Sequence, residues 1–158
     1  FRFLSNAISN GCRILHCRFL FLVVPGYNLI QNITKIQKNA VDTIIENPDG
    51  SLYMVLGSPG GSTIITTIAP IIVNVINFNM DIDQAVETKR FHHQWIPPVI
   101  QIEQNSLSQN TINALMDKGH NLVLRSKIGI GEANCILLDK GYFFGAADSR
   151  RGAVAIGY

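Results

Sequence analysis

A glycine-rich turn is the feature of this sequence most suited to chemistry. Residues 57–62 read Gly-Ser-Pro-Gly-Gly-Ser, and they lie between an apolar run, residues 52–56, and a helix-like pattern that begins at Thr63. A turn of this kind exposes backbone N–H groups at the start of a helix, where intrahelical acceptors are missing and the dipole favours negative charge. The glycine turn, residues 57–62, therefore predicts a site that stabilises an anion or an oxyanion. It supplies no attacking group.

A predicted hairpin and helix position this turn. Residues 43–46 and 51–56 read as two strands joined by Asn47-Pro48-Asp49-Gly50, a typical tight-turn sequence. After the turn, apolar residues recur at spacings of three and four through residues 62–78, which predicts a helix buried on most of its surface. The residues on this stripe are Ile64, Ile65, Ile68, Ile71, Ile72, Val75 and Ile76.

The rest of the chain alternates short helices and strands. We expect helices over residues 81–89 and 108–118, the second with Ile112, Leu115 and Met116 facing inward and Gly119 ending it. Strands are predicted over residues 99–103, 121–125, 133–138 and 142–146. Strands at both ends with helices between them favour an α+β or a layered α/β/α fold. Residues 1–42 show no sustained periodicity, so we predict an irregular segment there.

The composition is that of a globular chain with a sizeable core. Of 158 residues, 47% are hydrophobic and 15% are charged. The net charge of +2 and the lack of a basic stripe predict no nucleic-acid partner. The apolar run at residues 19–24 is far shorter than the roughly 20 residues that span a bilayer. We predict a buried strand there, with a signal-peptide remnant as the alternative, and no transmembrane segment.

Cysteine and histidine do not form a metal motif in this sequence. The chain has three cysteines. Cys12 and Cys17 flank His16 but lack a second ligand pair at metal spacing, and Cys135 is remote from both. We therefore predict no metal and no cofactor.

Several motifs together resemble one enzyme family. The hairpin turn, GSPGGS, ITTIAPIIVNVINF, DIDQAV, RFHHQW, MDKGHNL and the final GAADSRRGAVAIGY resemble, in unbroken order, the C-terminal part of the small subunit of γ-glutamyltransferases, also called glutathione hydrolases. The resemblance covers residues 43–158, and we treat residues 1–42 as a divergent segment. It implies part of a four-layer αββα sandwich of the N-terminal-nucleophile hydrolase type, incomplete in this chain.

The resemblance implies a reaction in which a Thr hydroxyl attacks the γ-glutamyl carbonyl of glutathione, with its own amino group as base. Water, an amino acid or a peptide then takes the γ-glutamyl group. Gly60 and Gly61 match the glycine pair whose N–H groups form the family's oxyanion hole. Glycine suits that role because no side chain blocks the approaching carbonyl.

Other parts of the family's machinery have no counterpart here. The Thr-Thr-His-x-Ser segment of the nucleophile is absent from these residues, because Thr66-Thr67 is followed by Ile68 and lies within the predicted helix. Lys38 and Asn39 occupy the positions of the Ser-Ser pair that grips the substrate carboxylate. Lys38 attracts a carboxylate but does not reproduce two hydroxyl donors. We therefore expect the chain by itself to be inactive.

Three further segments have plainer interpretations. His92 and His93 beside Trp95 are predicted to pack and hydrogen bond rather than to act as acid, base or ligand. Residues 148–151, Asp-Ser-Arg-Arg, are predicted to form a surface or inter-subunit ion pair rather than an anion site. Residues 129–132 resemble a dinucleotide loop only superficially, because a strand rather than a helix follows.

The expected function is that of a γ-glutamyltransferase fragment that retains the oxyanion hole. The alternative is a non-catalytic, light-chain-like family member that acts through protein association. By resemblance, the partners are glutathione and other γ-glutamyl compounds, the large subunit, and the remaining small-subunit sequence of the same precursor. The resemblance also implies an extracellular or plasma-membrane-associated location.

Overall fold

The computed structural model describes residues 13–16, 41–125 and 129–157. Within these ranges the chain forms a five-stranded sheet in the order β1-β2-β3-β7-β8 and a three-stranded sheet in the order β4-β5-β6. All neighbouring strands of the larger sheet are antiparallel. The strands are β1 (Arg13–His16), β2 (Val41–Glu46), β3 (Leu52–Ser58), β4 (Phe91–His92), β5 (Val99–Ile102), β6 (Asn121–Leu124), β7 (Asn134–Asp139) and β8 (Tyr142–Ala147).

The predicted hairpin is confirmed as β2 and β3. The amide of Gly50 donates to the carbonyl oxygen of Asn47 at 2.9 Å, and that of Asn47 donates to the carbonyl oxygen of Ser51 at 2.8 Å. Gly50 has a φ of 85°, which residues with a side chain seldom adopt. The turn chemistry thus sets the pairing of the strand that ends at the glycine turn.

Helix α1 (Ile64–Phe78) follows the glycine turn through a short 3₁₀ turn (Gly61–Thr63). The predicted spacing is confirmed, because Ile68, Ile71, Ile72 and Val75 are buried. Ile65 departs from the prediction, since 76% of it is exposed. The apolar stripe is wider than the face that packs on the sheet.

Helix α2 (Ile82–Glu87) and helix α3 (Gln109–Asp117) differ in their packing. Helix α2 buries Ile82, Ala85 and Val86, whereas α3 has no fully buried residue. The prediction that Met116 of α3 faces inward is wrong, because 59% of Met116 is exposed. Helix periodicity identifies an apolar face but not whether a neighbouring element covers it.

The smaller sheet joins segments that the sequence does not visibly pair. Strand β4 runs antiparallel to β5, while β6 runs parallel to β5. Helix α3 provides the crossover between β5 and β6, as parallel neighbours require. Its end at Gly119 is confirmed, since Gly119 has a φ of 84° and His120 donates to the carbonyl oxygen of Leu115.

The core lies between one face of the larger sheet and helices α1 and α2. Leu56 pairs with Cys135 and Cys135 pairs with Ala146, so these three side chains share a face. They pack with the buried helical residues. The closing hairpin of β7 and β8 turns at Lys140 and Gly141, which have positive φ values of 49° and 82°.

The predicted boundary at residue 42 is crossed by strand structure. Strand β1 pairs with β2 over Arg13–His16, within the segment predicted to be irregular. Lys38, Asn39, Cys12, Cys17 and the predicted strand at residues 19–24 lie outside the described residues.

One described stretch, Gly61–Phe78, is long and apolar enough to cross a membrane by length and composition alone. It is the same stretch that supplies Ile68, Ile71 and Val75 to the core, and buried core helices share these properties. The absence of a transmembrane segment therefore stays a prediction.

Candidate functional site

The glycine turn joins the end of β3 to the start of α1, in a conformation that requires glycine. Gly60 has a φ of 131° and Gly61 a φ of 58°. A Cβ atom on Gly60 would lie 2.4 Å from the Thr63 hydroxyl oxygen, whereas a Cβ on Gly61 would meet no atom within 4 Å. Gly60 is thus required by strain and by contact, and Gly61 by strain alone.

The glycine turn contains backbone donors without acceptors among the described residues. Gly60, Gly61 and Ser62 are exposed, and within the described ranges none of their amide N–H groups reaches an acceptor. They precede a helix of 15 residues, whose dipole adds positive potential at this end. The arrangement is chemically suited to binding an anion or the oxygen of a polarised carbonyl.

Thr63 holds the turn in place. Its amide N–H donates to the carbonyl oxygen of Gly60 at 3.2 Å, and its hydroxyl donates to the same oxygen at 3.0 Å. Thr63 is 5% exposed. Two donors on one carbonyl fix the peptide that follows Gly60, and this peptide carries the Gly61 N–H.

His92 connects the first turn of α1 to the smaller sheet. Its Nδ1 lies 2.8 Å from the hydroxyl oxygen of Thr66, and its Nε2 lies 3.1 Å from the side-chain oxygen of Gln94. His92 is 2% exposed, while His93 is exposed. The packing and hydrogen-bonding role predicted for this pair therefore fits His92 alone.

A buried cluster of four charged residues lies behind the loop that leads into β7. This charge cluster consists of Arg90, Glu103, Asp148 and Arg150. Arg90 donates to Asp148 at 2.6 Å, and Arg150 donates to Asp148 at 3.0 Å and to Glu103 at 2.8 and 2.9 Å. Each side chain is at most 7% exposed. Opposite charges alternate, so each desolvated group has a partner.

The cluster favours the ionised form of both carboxylates. Burial alone would raise the pKa of Glu103, but hydrogen bonds from Arg150 and from two backbone amides hold this pKa below its ordinary value. Burial likewise opposes ionisation of Asp148, and the charge of Arg90 together with hydrogen bonds holds the pKa of Asp148 below its ordinary value. Burial lowers the pKa of Arg90, whereas hydrogen bonds to the carboxylates, acting against burial, raise the pKa of Arg150.

The prediction that residues 148–151 form a surface or inter-subunit ion pair is wrong for Asp148 and Arg150. Asp148 is fully buried and pairs within the chain, as does Arg150, so neither forms a surface or inter-subunit pair. Only Arg151 fits that description, since it is 47% exposed and lies 3.6 Å from Glu132. The sequence reasoning missed Arg90 and Glu103 altogether. The sequence signal for a buried charge was an arginine, Arg90, close to His92 and His93. This signal does not identify the partner, because Asp148 is 58 residues away.

The described residues offer little support for other chemistry. Thr66 and Thr67 lie within α1, as predicted, and the Thr67 hydroxyl donates to the carbonyl oxygen of Thr63 at 2.8 Å. Burial raises the pKa of the Cys135 thiol to about 12, which disfavours the reactive thiolate. No group of three or more His, Cys, Asp or Glu side chains suited to a metal occurs within the described ranges. Gly60 and Gly61 lie together, while Lys38 and Asn39 fall outside the described residues.

Comparison with known proteins matches residues 18–158 to the gamma-glutamyltranspeptidase family. The glutathione hydrolase proenzyme of Escherichia coli is 37% identical over 102 residues, covering 65% of this chain and 17% of that protein. Glutathione hydrolase proenzyme 1 of Schizosaccharomyces pombe is 32% identical over 133 residues, covering 84% of this chain and 21% of that protein. The chain thus spans about a fifth of the length of these relatives.

Solved structures agree with the sequence relatives. A mutant of Helicobacter pylori gamma-glutamyltranspeptidase is 36% identical with a TM-score of 0.64, covering 72% of this chain and 61% of that chain. Gamma-glutamyltranspeptidase from Pseudomonas nitroreducens is 26% identical with a TM-score of 0.68, covering 86% of this chain and 67% of that chain. The predicted α+β fold, part of an N-terminal-nucleophile hydrolase sandwich, is confirmed. This chain belongs to the gamma-glutamyltranspeptidase family.

Proposed function

We propose that this chain supplies the oxyanion hole of a γ-glutamyltransferase, or glutathione hydrolase. The amide N–H groups of Gly60 and Gly61 would donate to the carbonyl oxygen of a γ-glutamyl group as that oxygen gains negative charge. The observation that carries the proposal is the pair of exposed glycines with free donors at the start of α1, in a chain of this family. Fixed donors stabilise the transition state without reorganising during the reaction.

In this proposal the nucleophile is supplied by sequence other than these 158 residues. In the family, a Thr hydroxyl attacks and its own amino group takes the proton. The 158 residues of this chain contain no Thr-Thr-His-x-Ser segment, and Thr66 and Thr67 are held within α1 by hydrogen bonds. The γ-glutamyl ester formed on that Thr would then pass to water, an amino acid or a peptide. Glutathione is the substrate proposed, by family.

The proposal also names the partners and the location. The large subunit and the remaining small-subunit sequence would complete the sheets around this chain. The location proposed, by family, is extracellular or plasma-membrane-associated. Exposed apolar side chains on β8 support the need for such partners: Tyr142 is 71% exposed, Phe143 59% and Phe144 47%.

Release of anilide from a γ-glutamyl anilide tests the proposal. We expect no release above background from the 158-residue chain, since it lacks the nucleophile. A chimera that joins the upstream part of the Escherichia coli relative to this chain from Thr43 is expected to release anilide. Turnover by the chain alone, or a folded and processed chimera without turnover, would contradict the proposal.

The second candidate is a non-catalytic member that acts through protein association. Lys38 and Asn39 in place of the Ser pair and the exposed aromatic strand β8 favour it. The transcript upstream of Phe1 separates the two: a Thr-Thr-His-x-Ser segment supports the enzyme, and a nearby start codon supports association. Both candidates predict that the chain self-associates when it is expressed alone, because its exposed apolar surfaces lack their partners. A monodisperse monomer by light scattering would contradict this prediction.

A further inference from the structure

The loop before β7 contacts the charge cluster on one side. This support loop comprises residues 129–133. The amide of Ile130 donates to Glu103 at 2.7 Å, and the carbonyl oxygen of Ile130 accepts from Arg90 at 2.8 Å. The amide of Ala133 donates to Asp148 at 3.1 Å. Ile130 and Ala133 are both fully buried. The position of the support loop is therefore set by three charged side chains.

The other side of the support loop contacts the first turn of α1. Gly131 approaches Thr67 so closely that a Cβ on Gly131 would lie 2.1 Å from the Thr67 hydroxyl oxygen. Thr67 is fully buried, and its hydroxyl donates to the carbonyl oxygen of Thr63. Thr63 in turn holds the carbonyl oxygen of Gly60. The contacts are thus continuous from the charge cluster to the glycine turn.

The support loop also reaches the other end of the turn. The amide of Glu132 donates to the hydroxyl oxygen of Ser58 at 3.4 Å. Ser58 ends β3 and is fully buried, and its hydroxyl donates to the carbonyl oxygen of Pro59 at 2.8 Å. Two adjacent residues of the support loop, Gly131 and Glu132, therefore contact the chain on both sides of the glycine pair. Glu132 contacts Ser58 before it, and Gly131 contacts Thr67 after it.

We propose that the support loop is a positioning element for Gly60 and Gly61, anchored by the charge cluster and acting through Thr67 and Ser58. A role of the support loop in catalysis rests on the proposed function, whereas the experiment below measures only the structure of the turn. Gly129 and Gly131 are the positioning residues. A Cβ on Gly129 would lie 2.8 Å from Arg150 and 2.9 Å from Glu103, so glycine lets the loop approach the cluster as closely as it approaches Thr67.

Three glycines of similar conformation provide a matched experiment. Gly129, Gly131 and Gly141 have φ values of 72°, 70° and 82°, but a Cβ on Gly141 would meet no atom within 4 Å. Substitution by Ala therefore adds comparable backbone strain at all three and a contact at only two. Hydrogen–deuterium exchange of the 158-residue chain, followed by mass spectrometry, measures the peptide that contains Thr63 and Ile64. The amide of Thr63 donates to the carbonyl oxygen of Gly60, and the amide of Ile64 donates to the carbonyl oxygen of Gly61.

We expect Gly129→Ala and Gly131→Ala to raise the exchange rate at this peptide about tenfold or more, and Gly141→Ala to leave it within about twofold. If Gly131→Ala unfolds the whole chain, Ser58→Ala tests the second contact, because it removes the hydroxyl that accepts from the Glu132 amide and donates to the Pro59 carbonyl oxygen; we expect it also to raise exchange at this peptide. Equal exchange in all three glycine variants, or exchange in Ser58→Ala equal to that of the parent chain, would overturn the proposal. No substrate is needed, so a failure of the oxyanion-hole proposal gives a different result from a failure of this one.

Discussion

The hydroxyl of Thr63 donates a hydrogen bond of 3.0 Å to the carbonyl oxygen of Gly60, at a position where a Cβ on Gly60 would overlap that hydroxyl. The bond that stabilises the turn thus also excludes any side chain from it. Gly61 differs because its missing side chain would face open space. The two glycines are therefore required for different reasons, and substitutions distinguish them.

The glycine pair predicts unequal losses of stability. Gly60→Ala is expected to lower the free energy of unfolding by about 2–3 kcal/mol, from strain at a φ of 131° and contact with Thr63. Gly61→Ala is expected to cost about 1 kcal/mol, from strain alone. Urea denaturation measures both, with Gly141→Ala as the control for a positive φ in open space. Equal losses for Gly60→Ala and Gly141→Ala would contradict the account.

The charge cluster predicts a large effect at Arg90 and a small one at Arg151. Arg90→Met removes one of the two arginines that pair with the buried Asp148, so we expect a loss of about 3–5 kcal/mol. The variant also leaves two backbone carbonyl oxygens without the donor that Arg90 supplies. Arg151→Met disrupts only an exposed pair with Glu132, and we expect about 0–1 kcal/mol. Both values come from urea midpoints at pH 7. A loss below about 1 kcal/mol for Arg90→Met would show that the cluster is not buried as described.

The two buried carboxylates predict acid sensitivity. The pKa values of Glu103 and Asp148 lie below their ordinary values of 4.5 and 3.8 in the folded chain. Their stabilising contribution is therefore fully present above about pH 5 and is lost as the pH falls through the folded pKa values. We expect the urea midpoint to fall from pH 5 to pH 3.

A variant comparison isolates the source of this acid sensitivity. Asp148→Asn should be less stable at pH 7, and its urea midpoint should depend less on pH between 5 and 3 than that of the parent chain. Asp117→Asn, at the exposed end of α3, is the matched control and should follow the parent. A parent midpoint that is unchanged or higher at pH 3 would contradict the assignment of lowered pKa values.

His92 and His93 are predicted to contribute unequally. His92→Phe removes hydrogen bonds to Thr66 and Gln94 at a buried site, so we expect a loss of about 1–3 kcal/mol. His93 is exposed, and His93→Phe should change stability by no more than about 0.5 kcal/mol. Thermal unfolding of both variants gives the comparison. A larger effect at His93 than at His92 would reverse the interpretation of this pair.

Local sequence signals were enough to predict the hairpin and helix around the turn. The Asn47–Gly50 turn and the spacing of Ile68, Ile71 and Val75 depend on neighbours a few residues apart, and both predictions are confirmed. The resemblance to the family is confirmed as well. The oxyanion-hole role of Gly60 and Gly61 stays a prediction.

Long-range pairing is what the sequence did not reveal. Arg90 and Asp148 are 58 residues apart, and Arg150 and Glu103 are 47 apart, so no local period links them. Charged residues near a chain end are usually solvated, which led to the surface interpretation of residues 148–151. Strand β4 has two residues, too few for a period of two to be recognised. Its place in a sheet depends on β5.

The rate of acyl transfer in the chimera with the Escherichia coli upstream sequence is the most direct test of the oxyanion-hole claim. Replacement of the Gly61 amide by an ester removes the N–H without adding a side chain, and we expect it to lower kcat for anilide release by about 10²–10³-fold, with KM changed by no more than about threefold. The same replacement at Gly141 should leave both constants near those of the parent chimera. A Gly61 ester chimera that is folded and processed, with kcat within about threefold of the parent, would contradict the claim.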